Sequence, residues 1–133
     1  MPIELKYLLW SIALFFIMIL AQSLSSIFSG KASFSELVGN RDNLPNDGLT
    51  AFHGRTKRAQ VNFVEGLIMF APLVLITVIT ENSSELTALG AALFFWGRLT
   101  FAPCYWLGIP WIRTLAWFVS IIGTLMIFLE LIN

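Results

Sequence analysis

Four long apolar runs, parted by three polar intervals, organise the chain. The first runs from Leu5 to about Phe28 and turns serine-rich toward its end. The second spans about Ala59 to Thr80 and contains Pro72, the third spans Leu86 to about Leu107, and the fourth spans Trp111 to about Ile132. Each is close to the ~20 residues that a helix needs to cross a bilayer. The interval 29–58 holds Gly, Asn, Asp and Pro45, all turn formers. Glu81-Asn82-Ser83-Ser84-Glu85 forms a short hairpin, and Gly108 with Pro110 breaks the chain before the last run. The pattern predicts an all-α, integral membrane four-helix bundle that forms one domain over residues 1–133. No internal repeat or low-complexity segment interrupts it.

Composition supports this class. The chain is 57% hydrophobic and 12% charged, where soluble domains carry about 25% charged residues. Net charge is zero, which gives no footing for nucleic acid. Cys104 is the only cysteine and His53 the only histidine. An internal disulfide and a Cys-rich metal site are therefore excluded, and no metal ligand set is expected. The first run is too long for the core of a signal peptide and lacks a basic flank, so it reads as a retained helix.

Charge also suggests an orientation. Lys31, Arg41, Arg55, Lys57 and Arg58 gather in and around the first loop, and Arg113 lies at the third. The second loop offers only Glu81 and Glu85, and the first run opens with Lys6. The excess of Lys and Arg on cytoplasmic loops would place loops one and three inside and both termini outside. Trp106, Trp111 and Trp117 flank the third loop and suit an interfacial belt. Arg55 and Lys57 read as headgroup contacts, the default for basic residues beside a membrane.

Some charges lie where hydropathy alone would not put them. An ionisable side chain near the bilayer centre costs about 2.5–3.5 kcal/mol on insertion scales. Glu65 and Arg98 both fall well inside their spans, at depths that allow a salt bridge or a shared ligand. Glu130, at the end of the fourth run, can reach water. Arg58, Asn62 and Glu65 follow one another at i, i+4 and i+7, so they share one helical face. Such a row suits a zwitterionic, multiply hydrogen-bonding ligand: the carboxylate takes an ammonium, the arginine a carboxylate, the asparagine a peptide group. Arg98 and Tyr105 are again i and i+7, and Arg113 with Thr114 opens the fourth run on the same side.

Other polar or small residues suggest less. Cys104 reads as apolar filler, His53 as a residue of a solvated loop, and Pro72 and Pro103 as helix benders. Gly90, Ala91 and Ala92 form a small-residue patch suited to close helix approach.

Taken together, these residues resemble the MAPEG family, the membrane-associated proteins in eicosanoid and glutathione metabolism. Arg58-Ala59-Gln60-Val61-Asn62-Phe63-Val64-Glu65 resembles its second-helix signature. Gly39-Asn40-Arg41-Asp42 with Pro45, and Phe94-Phe95-Trp96-Gly97-Arg98 through Tyr105, Gly108, Pro110, Arg113 and Trp117, resemble its bacterial branch. The resemblance implies a homotrimer in a bacterial inner (plasma) membrane, with glutathione as co-substrate bound between subunits near the cytoplasmic side. It implies a transferase or peroxidase that acts on hydrophobic electrophiles or lipid peroxides. Carried over, Arg58, Asn62 and Glu65 would grip glutathione from one subunit. Arg98, Tyr105, Arg113 and Thr114 would complete the site from a neighbour, with Arg113 as the group that stabilises the thiolate. Phe101, Gly66 and Thr100 depart from residues seen in some members, namely two tyrosines and a basic residue.

A non-enzymatic reading stands beside this one. The polar face could serve trimer packing or partner binding, because polar side chains also join membrane helices at roughly 0.6 kcal/mol each. A proton relay through Glu65 and Arg98 is a third reading, and the lack of a repeated half weighs against it.

Overall fold

The computed structural model describes residues 1–133 and is all-helical. Its helices are α1 (Ile3–Ile27), α2 (Phe34–Val38), α3 (Ala51–Ile79), α4 (Glu85–Trp106) and α5 (Pro110–Ile132). All except α2 are long and apolar enough to cross a membrane. The four apolar runs therefore become four long helices, and the main difference lies at the start of α3.

That helix begins at Ala51, eight residues ahead of the apolar run that marks the second span. At about 1.5 Å per residue this adds roughly 12 Å of polar helix. The cause is a cap. The Thr50 side chain accepts the His53 backbone N–H at 3.0 Å, which satisfies one of the free donors of a helix start. His53 is consequently buried in the first turn, not in a solvated loop. Its Nδ1 accepts the Leu49 N–H at 2.9 Å. Its Nε2 lies 3.1 Å from the Gln22 side-chain amide nitrogen of α1.

The other helices start on equally local signals. Ser33 and Glu36 form a reciprocal capping box on α2, and the Ser33 backbone N–H and hydroxyl hold the Glu36 carboxyl below its usual pKa. Ser84 and Thr87 do the same for α4. Pro110 occupies the start of α5, where a missing N–H costs nothing. Gly108 makes the preceding turn with φ of 74°, a conformation open to glycine and strained for most residues. Pro72 and Pro103 both lie inside continuous helices.

Helices α4 and α5 form the closest pair. Gly90 packs on Gly123, and Gly97 on Ala116 and Ser120. A methyl group at Gly90 or Gly123 would meet the other's carbonyl oxygen. The small-residue patch expected around Gly90 is thus one side of a seam whose other side lies on α5. Helix α1 packs on α3 and α4, while α5 packs on α4 and α3. The α3–α4 contact forms the short diagonal, with α1 and α5 at the far corners.

Two apolar clusters fill the interior. Leu14, Met18, Phe63, Phe101 and Ala116 make the one nearer the first loop. Leu8, Phe70, Val74, Phe94 and Ile127 make the other. The Phe70 and Phe94 rings stack at 3.9 Å. Outward faces are also apolar, with Trp10, Phe16, Ile17 and Leu20 all exposed. Such a surface fits lipid as the solvent. Trp111 is exposed, as a belt residue would be, whereas Trp106 and Trp117 pack against the core.

Candidate functional site

The α3 face with Arg58, Asn62 and Glu65 borders the inter-helix space only at its middle residue. Asn62 is half-buried, and Arg58 and Glu65 are exposed on the single chain. The middle position is decided by α4. Arg98 is 1% exposed and donates from Nη1 to Asn62 Oδ1 at 2.6 Å. The expected Arg98–Glu65 contact is replaced by this Arg98–Asn62 contact.

Aromatic rings do much of the work of burying that cation. The guanidinium carbon lies 5.2 Å from the Phe101 ring centre, 5.6 Å from Phe94 and 5.9 Å from Phe63. All three are within cation–π range. The Arg98 Nε has no hydrogen-bond partner. Gly66 provides the space, since a Cβ there would collide with the guanidinium. The glycine at 66 and the buried arginine at 98 are therefore one arrangement. Phe101 likewise has its own role, as a lid over Arg98 tilted against Tyr105 at 5.4 Å.

Toward the third loop, Tyr105 and Arg113 meet. The Arg113 guanidinium sits 4.6 Å from the Tyr105 ring centre. Asn62, Phe101, Tyr105, Arg113, Thr114 and Trp117 line one cavity of about 270 Å³. That is close to the lower end of small-molecule sites, about 300 Å³. The Thr114 hydroxyl donates to the Pro110 carbonyl at 2.9 Å, so it offers the cavity lone pairs only.

The candidate residues thus fall into three groups. Asn62, Tyr105, Arg113 and Thr114 share the cavity. Arg98 lies behind it and reaches it through Asn62. Arg58 and Glu65 occupy the same α3 face outside the cavity lining. A single chain already joins Asn62 to Arg98, Tyr105 and Arg113, the set that the resemblance divides between neighbouring subunits. Chemically, the cavity offers one cation, one phenol and one amide beside aromatic walls, a set suited to an anionic, hydrogen-bonding ligand.

Two basic residues expected at lipid headgroups each also make one contact within the chain. Arg55 Nε donates to the Trp106 carbonyl at 2.8 Å, and Lys57 Nζ to the Asn46 carbonyl at 2.9 Å. Arg55 thereby satisfies an open carbonyl at the end of α4. At the opposite end of the bundle, sequence reasoning missed Glu4. It is 2% exposed and accepts the Thr87 hydroxyl at 2.6 Å. Its place in the first turn of a long apolar helix resembles an ordinary terminal charge, and only the packing of α1 on α4 distinguishes it.

Comparison with known families gives one match: the model described as MAPEG family covers residues 7–133, from within α1 to the end of the chain. No curated protein and no solved structure matches the chain.

Proposed function

Because the chain belongs to the MAPEG family and is an integral membrane protein with four spanning helices, we propose that it binds glutathione and acts as a glutathione transferase or peroxidase on hydrophobic substrates. The observation that carries this reading is the shared cavity of Asn62, Tyr105 and Arg113, with Arg58 and Glu65 on the adjoining α3 face. Glutathione has two carboxylates, one ammonium, two peptide groups and a thiol. Glu65 matches the ammonium, Arg58 a carboxylate, and Asn62 a peptide group. Arg98 fixes the Asn62 amide from behind, so its contribution is to position that residue. Arg113 supplies the positive charge for the thiolate. A free thiol ionises near pH ~8.5, and a guanidinium beside it lowers that value. The thiolate attacks an electrophilic carbon, the S–C bond forms, and the leaving group departs with its electron pair. Lipophilic substrates would arrive from the bilayer.

The proposal includes a homotrimer whose neighbouring subunit covers Arg58 and Glu65. It places loops one and three on the cytoplasmic side of a bacterial inner membrane, where glutathione is available. The test is titration of glutathione into detergent-solubilised protein and into Glu65→Gln. Millimolar glutathione should bind the native chain and bind the variant at least tenfold more weakly. No binding to the native protein would sink the proposal.

The exposure of Arg58 and Glu65 supports a second reading, in which the polar face joins subunits and catalyses nothing. Arg58→Ala and Glu65→Gln would then lower trimer stability in detergent while thiol chemistry stays absent throughout. A variant trimer as stable as the native one excludes this reading.

A further inference from the structure

We propose that the cleft between the end of α1, helix α2 and the start of α3 binds the phosphate of an anionic phospholipid. A small cavity of about 120 Å³ lies there, lined by Arg41, Lys57, His53, Gln22 and Asn46 among others. It shares Gln22, Ser26, Leu37 and Arg41 with a larger neighbour of about 330 Å³. The larger space adds apolar walls from Ile27, Phe34 and Val38, all exposed. One continuous cleft therefore has a cationic inner end and an apolar outer rim.

The two cations are available to an anion. Arg41 uses Nε on the Leu37 carbonyl, which leaves its two Nη groups for a ligand. Lys57 donates to the Asn46 carbonyl, and two ammonium protons remain. Both partners are neutral, so they leave the positive charge uncompensated. Asp42 and Asp47 lie on the same loop but line neither cavity. The backbone at Arg41 has φ of 62°, a left-handed conformation that side-chain-bearing residues adopt uncommonly. Such strain persists only where the surroundings enforce it, and here it accompanies an arginine turned back onto the Leu37 carbonyl of α2.

The rim selects the ligand's source. A free phosphate needs only the cations, whereas a phospholipid also needs an apolar wall at the membrane surface. Ile27, Phe34 and Val38 provide that wall where α1 leaves its apolar run. Basic pockets at the ends of spanning helices are a recurrent form of headgroup recognition.

The experiment reconstitutes the full chain in phosphatidylcholine vesicles that carry spin-labelled phosphatidylglycerol or spin-labelled phosphatidylcholine. The protein-restricted fraction of each label gives the selectivity. The variants are Arg41→Asn, chosen because asparagine tolerates the left-handed backbone, and Lys57→Gln. Lys6→Gln, at the opposite end of the bundle, is the control. Selectivity for phosphatidylglycerol should fall about fivefold with each cation removed and stay constant in the control. Lys57 lies on the long helix α3, so Lys57→Gln keeps the test decisive if Arg41→Asn fails to fold. Equal selectivity in Lys57→Gln and the native chain overturns the proposal. Loss of selectivity on adding millimolar inorganic phosphate at matched ionic strength also overturns it, and assigns the cleft to a soluble anion.

Discussion

Arg98 lies behind the candidate cavity and reaches it only through Asn62. Its guanidinium lies in the interior with one hydrogen bond, to Asn62, and three aromatic rings around it. Lysine would not replace it, because a point charge lacks the planar fork that stacks on rings while bonding the amide. The space for that fork comes from Gly66. Gly66→Ala should therefore destabilise the protein by about 1–3 kcal/mol, the usual cost of overpacking a filled core. Thermal unfolding in detergent measures it, and Arg98→Met in the same chain should recover much of the loss. A Gly66→Ala protein as stable as the native one would show that the Arg98 guanidinium gives way at little cost. The sequence made Arg98 conspicuous, since a charge inside an apolar run is visible in one dimension. Gly66 was not legible as its partner, because the meaning of a helical glycine depends on which atom of another helix approaches it.

Elements repeat the contrast between what lies along the chain and what lies across it. The four long helices followed from the length of the apolar runs alone. The start of α3 did not, because hydropathy marks where a helix can enter lipid and hydrogen bonding marks where the helix begins. Thr50 places that beginning at Ala51, inside a stretch that reads as polar loop. The tie between α1 and α4 was likewise hidden. Thr87 caps α4 and also donates to the buried Glu4 carboxylate. Thr87→Val keeps the shape but removes the donor and leaves the acceptor unpaired, so it should cost about 1–3 kcal/mol. Glu4→Gln in the Thr87→Val background should return part of that loss by removing the charge. Thermal denaturation of the three proteins separates these terms, and a neutral Thr87→Val would refute the contact. At the other end, Arg55→Ala should free the Trp106 carbonyl and loosen the turn at 107–109. Faster amide hydrogen exchange confined to that turn is the expected sign, and unchanged exchange would count against it.

At the scale of the whole molecule, the residues that remain unexplained by one chain are those that require another. Glu65 lies two turns inside the apolar run of α3, yet it is exposed. Facing lipid there, a carboxylate would carry much of the ~2.5–3.5 kcal/mol insertion cost. Within the chain Arg98 has turned to Asn62 and forms no salt bridge with that carboxylate. Arg58 is exposed on the same face about two helical turns away. A surface of opposite charges flanked by the apolar side chains of Val61 and Ile68 suits contact with another copy, in which carboxylate and guanidinium can be covered together. The proposed trimer satisfies that need, and light scattering should find three 14.9 kDa chains per particle in mild detergent. Charge reversal gives the sharper measurement. Glu65→Arg would set like charges together on every subunit and should shift the particles toward single chains. Arg58→Glu in the same protein should restore assembly if the two residues meet across the interface. Single-chain particles for the native protein would show instead that Glu65 tolerates lipid, and would remove the reason to assign the α3 face to subunit contact.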